Sequence, residues 1–187
     1  MSPQAQALLA LYPLPNITGN PLYNYQIPVL NAAHQDVVQL HMDKMLGRRD
    51  QLYGRFNLQS NRADSVNLFD FVDTTDTLGL NTDIHWSHRF NQSFFLFAGF
   101  QFSRLRTLIR PEFENRENIE GAAGINGTDQ SPTQWGPPAL DFSSGIAALS
   151  DAGSTFNRNR TDSFSLSAAN YHGHHNVTIG GDLRKQQ

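Results

Sequence analysis

From Asp36 onward apolar side chains recur at every second position, and a period of two predicts strands. Val38, Leu40 and Met42 alternate with Gln39, His41 and Asp43. Past the turn signal Gly47-Arg48-Arg49-Asp50, Leu52, Gly54, Phe56 and Leu58 alternate with Tyr53, Arg55, Asn57 and Gln59. Two such runs joined so tightly form a hairpin. A second hairpin sets Leu78, Leu80, Ile84 and Trp86 against Asn81, Asp83, His85 and Ser87. It turns at Arg89-Phe90-Asn91-Gln92 and continues with Phe94, Leu96, Ala98, Phe100 and Phe102, although Phe95 and Phe97 interrupt the polar set. In the third, Phe164, Leu166 and Ala168 oppose Ser163, Ser165 and Ser167. After His172-Gly173-His174 the chain returns with Val177, Ile179 and Leu183 against Thr178, Asp182 and Arg184. The expected fold class is all-β: an antiparallel up-and-down meander of six strands in three hairpins. The helical period is confined to Gln4 to Leu11, a short helix stopped by Pro13. Residues 1–35 therefore read as a lead-in segment and 36–187 as the sheet, with a long loop at about 108–160.

Connector lengths sharpen this picture. Links inside the hairpins are short, whereas those between hairpins run from Arg62 to Asp76 and from Leu108 to Arg160. Compact soluble domains rarely carry a structureless loop beyond ~12 to 15 residues. Outer-membrane barrels place short turns at the periplasmic rim and long loops outside the cell, and runs of about ten residues suit a strand tilted across hydrocarbon. On that reading Leu40, Phe56, Leu80, Ile84, Leu96, Phe100, Leu166 and Ile179 face lipid, and the intervening polar residues face a lumen. Trp86, Phe90, Phe94 and Phe95 flank a short turn and suit the aromatic girdle at the lipid–water boundary. Six strands leave two open edges, and unpaired backbone groups in lipid cost several kcal/mol each. Closed single-chain barrels begin at about eight strands, so the expectation is a piece of a larger barrel. The long lead-in and the stop at Lys185-Gln186-Gln187 agree with that expectation.

Composition removes other classes. With Cys 0, disulfide and cysteine–metal scaffolds are impossible. A net charge of -3 lacks the Lys and Arg surplus that gives phosphate affinity, so nucleic acid is not an expected partner. No apolar run approaches the ~18 to 20 residues of a spanning helix, and Met1-Ser2-Pro3-Gln4 has no secretory character.

Candidate chemistry is sparse. A hairpin centred near residue 49 would set Asp43 opposite Arg55 on the polar face, as a structural pair or as a substrate contact. His172, His174 and His175 crowd one turn without a carboxylate or cysteine partner, which suits a solvated turn better than a metal centre. Gly121, Gly124 and Gly127 lack the Lys-Ser or Lys-Thr of a nucleotide loop and read as a flexible loop. Asp141 to Ser144 and Ser150 to Ser154 supply hydroxyls and carboxylates without a nucleophile held against a base. No catalytic, cofactor or metal site is expected, and an enzyme ranks last among the readings. The loop carrying Trp135, Pro137 and Pro138 is the expected contact region for something outside the cell.

The run Leu8-Leu9-Ala10-Leu11-Tyr12-Pro13-Leu14-Pro15-Asn16, followed by Asn24-Tyr25, resembles the segment ahead of a barrel strand in Oar-like TonB-dependent outer-membrane receptors, the type with a carboxypeptidase-regulatory-like domain. Val38 to Leu46, Leu52-Tyr53-Gly54-Arg55-Phe56-Asn57 and Asn176-Val177-Thr178-Ile179-Gly180-Gly181-Asp182-Leu183-Arg184 are similar to that family's strands, with Met42 and Lys44 departing from its pattern. The resemblance implies an outer-membrane location and a share in uptake of an unidentified substrate. It implies as partners the membrane lipid, the remainder of the barrel, the plug domain and, through the plug, TonB. The alternative is a soluble β-sandwich or small-barrel module that binds through its long loop.

Overall fold

A computed structural model describes residues 1–143 and 145–187. One six-stranded sheet runs in sequence order: β1 (Ala32–Leu46), β2 (Asp50–Val66), β3 (Val72–Arg89), β4 (Phe94–Arg110), β5 (Thr155–His172) and β6 (His175–Gln186). The meander read from the alternation is therefore present, with β1 and β6 as its two edges. The sheet is not closed. The helix α1 occupies Pro3–Leu9, starting one residue before and ending two residues before the expected Gln4 to Leu11, because Pro3 fits the first helical position and the Ser2 hydroxyl accepts from the Ala5 N–H.

The strands are longer than the alternation shows. β2 continues to Val66 and β3 begins at Val72, so the link expected over Arg62 to Asp76 shrinks to residues 67–71. Asn67 builds that link: its side-chain oxygen accepts from the Phe69 and Phe71 N–H groups, and Asp70 takes φ 66. Parts of the long loop form regular structure. Gly121 lies in a short helix, α2 (Ile119–Ala122), capped by the Asn118 side chain, and Leu140 pairs with Leu149 in an isolated bridge.

The chain divides into two units. The strand unit comprises residues 35–61, 77–107 and 157–187; the loop unit comprises 1–34, 62–76 and 108–156. The loop unit has its own core of Leu8, Phe71, Ile119, Ala123 and Leu149. Around it Tyr12 meets Phe69 edge-on at 5.0 Å, and Phe71 meets Phe113 edge-on at 4.8 Å. Burial of apolar area at roughly 25 cal/mol per Å² thus holds together the lead-in, the β2–β3 link and the long loop.

Candidate functional site

The β5–β6 ladder shows how the two residue sets separate. Directly opposed residues share a face. Phe164 opposes Leu183, Leu166 opposes Gly181 and Ala168 opposes Ile179, whereas Ser163 opposes Arg184, Ser165 opposes Asp182 and Ser167 opposes Gly180. The same ladder places Asp162 against Lys185 at one limit of the apolar row and His172 against His175 at the other. On the apolar row Leu40, Ile84, Phe100, Leu166 and Ile179 are all exposed, with Ile179 at 74%. The described residues provide no second sheet to cover them, as a soluble sandwich would require.

The polar row converges on Asp83. Arg55 Nε and Nη2 both donate to Asp83 Oδ2, at 3.0 and 2.8 Å. Asp83 is 7% exposed, and no other polar or charged residue among those described is buried as deeply. This corrects the expected Asp43–Arg55 pair. β1 ends at Leu46 and β2 starts at Asp50, so the hairpin centres on Arg48, about two residues out of the register that would join Asp43 to Arg55. Asp43 instead accepts from Gln51 Nε2 at 3.2 Å. Next to the ion pair, Gln39, His41, Asn57, Asn81 and Gln101 border a cavity of about 460 Å³, and the buried Asn57 Oδ1 has no donor among the described residues. Gly99 makes this row possible on β4, since a Cβ there would come within 2.6 Å of Ser165 Oγ and 2.9 Å of His85 Nδ1. The arrangement offers amides, one imidazole and a half-exposed guanidinium to a polar solute.

At the short-turn end an aromatic ladder forms on the apolar side. Trp86 Nε1 donates to Asp50 Oδ1 at 3.1 Å, His88 Nδ1 lies 2.6 Å from the same oxygen, and the rings of His88, Phe90 and Phe94 follow in sequence at 4.5 and 5.2 Å. Trp86, Phe90 and Phe94 are linked through His88, a residue absent from the expected girdle set. Phe95 is not with them. Consecutive strand residues point to opposite faces, and Phe95 stacks with Phe97 and meets Tyr171 edge-on.

In the loop unit a groove of about 600 Å³ opens between Tyr12, Leu22, Tyr23, Tyr25, Phe69 and Ile146. Leu22 is 88% exposed, and the Tyr12 hydroxyl donates to the Ala147 carbonyl at 2.8 Å. The long loop expected to make outside contacts contributes Ile146 to this groove, whereas within the same loop Pro137 is buried and Trp135 Nε1 is tied to the Gln130 carbonyl at 3.0 Å. The Asp141 to Ser144 hydroxyl cluster falls partly outside the described residues, at Ser144. His172 and His175 oppose each other across the last ladder step with His174 in the turn between them, and no group of three His, Asp or Glu side chains among the described residues could hold a metal ion.

One loop-unit acid is displaced far from its ordinary value. Burial, the carboxylate of Asp73 and the charge of Glu112 push Asp151 from 3.8 up to about 7, against a smaller opposing contribution from the Ala152 N–H. Glu112 is itself held by Arg116 at 2.8 Å, and its other oxygen accepts from the Val72 N–H. Between those two pH values the folded state keeps a proton that the unfolded chain has released, so stability falls as pH rises through the interval. Asp151 is only half-buried, which screens the effect to about 1 to 2 kcal/mol. Asp151→Asn is expected to flatten the decline between pH 4 and pH 7, measured as hydrogen exchange in residues 108–156. An unchanged slope would contradict the assignment.

A family model described as an outer membrane beta barrel domain matches residues 1–187. No curated protein and no solved structure matches the chain.

Proposed function

Because the chain belongs to the outer membrane beta barrel domain family, we propose that it forms wall and outward loops of a transporter barrel, specifically one of the Oar-like TonB-dependent type. The observation that carries the membrane reading is the spacing of the apolar row. From Asp162 to His172 is a step of ten residues along β5. At ~3.3 Å per residue and a tilt of about 45° this step rises about 23 Å, close to the ~25 Å band of outer-membrane barrels. Strand ends beyond that step carry polar residues on both faces and are joined by the pairs Thr74–Asp64 and Arg110–Asp76, which suits water. On this reading the Arg55–Asp83 row lines the lumen.

Open edges at β1 and β6 cannot stay bare in hydrocarbon, so further strands, from the remainder of the barrel or from another copy, complete them. The TonB-dependent subtype is supported by the lead-in motif around Leu8 to Asn16 and by the strand motif Asn176 to Arg184; the plug and TonB are the partners it calls for.

With no native cysteine, facing can be read directly. Ser165→Cys should react with a water-soluble maleimide in membranes, and Leu166→Cys only with a lipid-soluble one. Equal reactivity at the two neighbours would defeat the membrane reading. For the subtype, photo-crosslinking of the full-length protein in its host should capture TonB; a barrel that assembles but never crosslinks, beside a receptor that does, has a different role.

A further inference from the structure

The short-turn end of the strand unit carries positive charge that its own carboxylates leave uncompensated. Gly47, at φ +88 with open space around it, reverses the chain and leaves Arg48 and Arg49 exposed. Arg89, also exposed, ends β3 beside them. Its N–H donates to the Arg49 carbonyl at 2.8 Å, and its Nη2 donates to the Arg48 carbonyl at 3.2 Å. Among the described residues none of these three arginines has a carboxylate partner, whereas Arg55, Arg62, Arg110, Arg116 and Arg160 each have one. The adjacent acid, Asp50, is engaged with Trp86 and His88.

We propose that Arg48, Arg49 and Arg89 form a headgroup site for an anionic glycerophospholipid. Three guanidiniums on two hydrogen-bonded turns present planar forks suited to a phosphate. The exposed Phe90 and Ile84 extend from the same end along the apolar row and provide the surface that acyl chains would cover. A free phosphate would satisfy the arginines and leave that surface bare, so the lipid is the occupant that uses both features. The inference rests on the membrane reading above.

The test uses the protein purified in a zwitterionic detergent, with phosphatidylglycerol or phosphatidylcholine titrated in and bound lipid counted by native mass spectrometry. Phosphatidylglycerol should be retained preferentially. Arg48→Gln, Arg49→Gln and Arg89→Gln together should weaken its binding by at least tenfold, since each basic residue near an anionic surface contributes roughly fivefold. The matching lysine set, which keeps the charge and controls for folding, should lose less. Equal retention of the two lipids by the wild type, or phosphatidylglycerol binding unchanged by the glutamine set, would overturn the proposal. So would full displacement of the lipid by inorganic phosphate that binds as tightly on its own. Insertion into phosphatidylcholine vesicles is scored separately: its failure sinks the membrane reading, whereas insertion without lipid preference sinks only the headgroup site.

Discussion

Leu149→Ala is expected to cost the loop unit about 3 kcal/mol. Leu149 is fully buried, at 0% exposure, and sits where the long loop meets Leu8, Phe71 and Ile119. Truncating a buried leucine removes its transfer free energy and leaves a cavity that a tight core fills only in part, for a typical loss of about 2 to 5 kcal/mol. The Leu140–Leu149 backbone bridge, with bonds of 2.8 and 3.0 Å, limits the collapse that would soften the loss. Hydrogen exchange at residues 113–125 and 140–149 measures it. Ile146→Ala in the same loop removes an exposed side chain and should change stability by less than ~0.5 kcal/mol. Equal effects would show that the loops do not share a core.

Phe100→Arg is expected to impair membrane assembly by roughly 2 to 4 kcal/mol, the range for a basic residue facing lipid near the bilayer midplane, while Gln101→Arg is tolerated. Phe100 shares a strand face with Phe94 and Leu96, and Gln101 borders the polar cavity near Arg55 and Asp83. Arg55 and Asp83 already pair there, so an added guanidinium at Gln101 enters a row of polar side chains. The difference is measured as folding yield into vesicles. Matching losses at the two neighbouring positions would reverse the assignment of faces.

The six strands and their short turns are legible in the sequence because an apolar residue at every second position leaves one stable way to bury or expose a whole face. The outer strand ends are not. Arg62-Ala63-Asp64-Ser65-Val66 and Val72-Asp73-Thr74-Thr75-Asp76 carry polar residues in both sets, so alternation has nothing to act on, and ion pairs and cross-strand hydrogen bonds hold the ladder instead. Both members of the Arg55–Asp83 pair are visible in the polar sets, but the β1–β2 turn centre near Arg48 decides only what Asp43 meets, whereas Asp83 reaches Arg55 from β3 across the link at residues 67–71. Phe95 could have been placed correctly from the strand period alone. The loop core offered no local signal. Leu8, Phe71 and Leu149 come from segments far apart in sequence, and nothing within Leu8-Leu9-Ala10-Leu11 or Leu68-Phe69-Asp70-Phe71 tells which distant segment each one packs against.

That shared core sets a rule for remodelling the segments of the loop unit. Lead-in, link and long loop each supply a wedge to one hydrophobic knot, so a segment transplanted alone from another barrel would leave two strangers to repack. Diversity in this region has to be acquired as matched sets. Gly127, with φ +101 and no atom within 4 Å of an added side chain, is a place where foreign sequence could be spliced in without disturbing the knot.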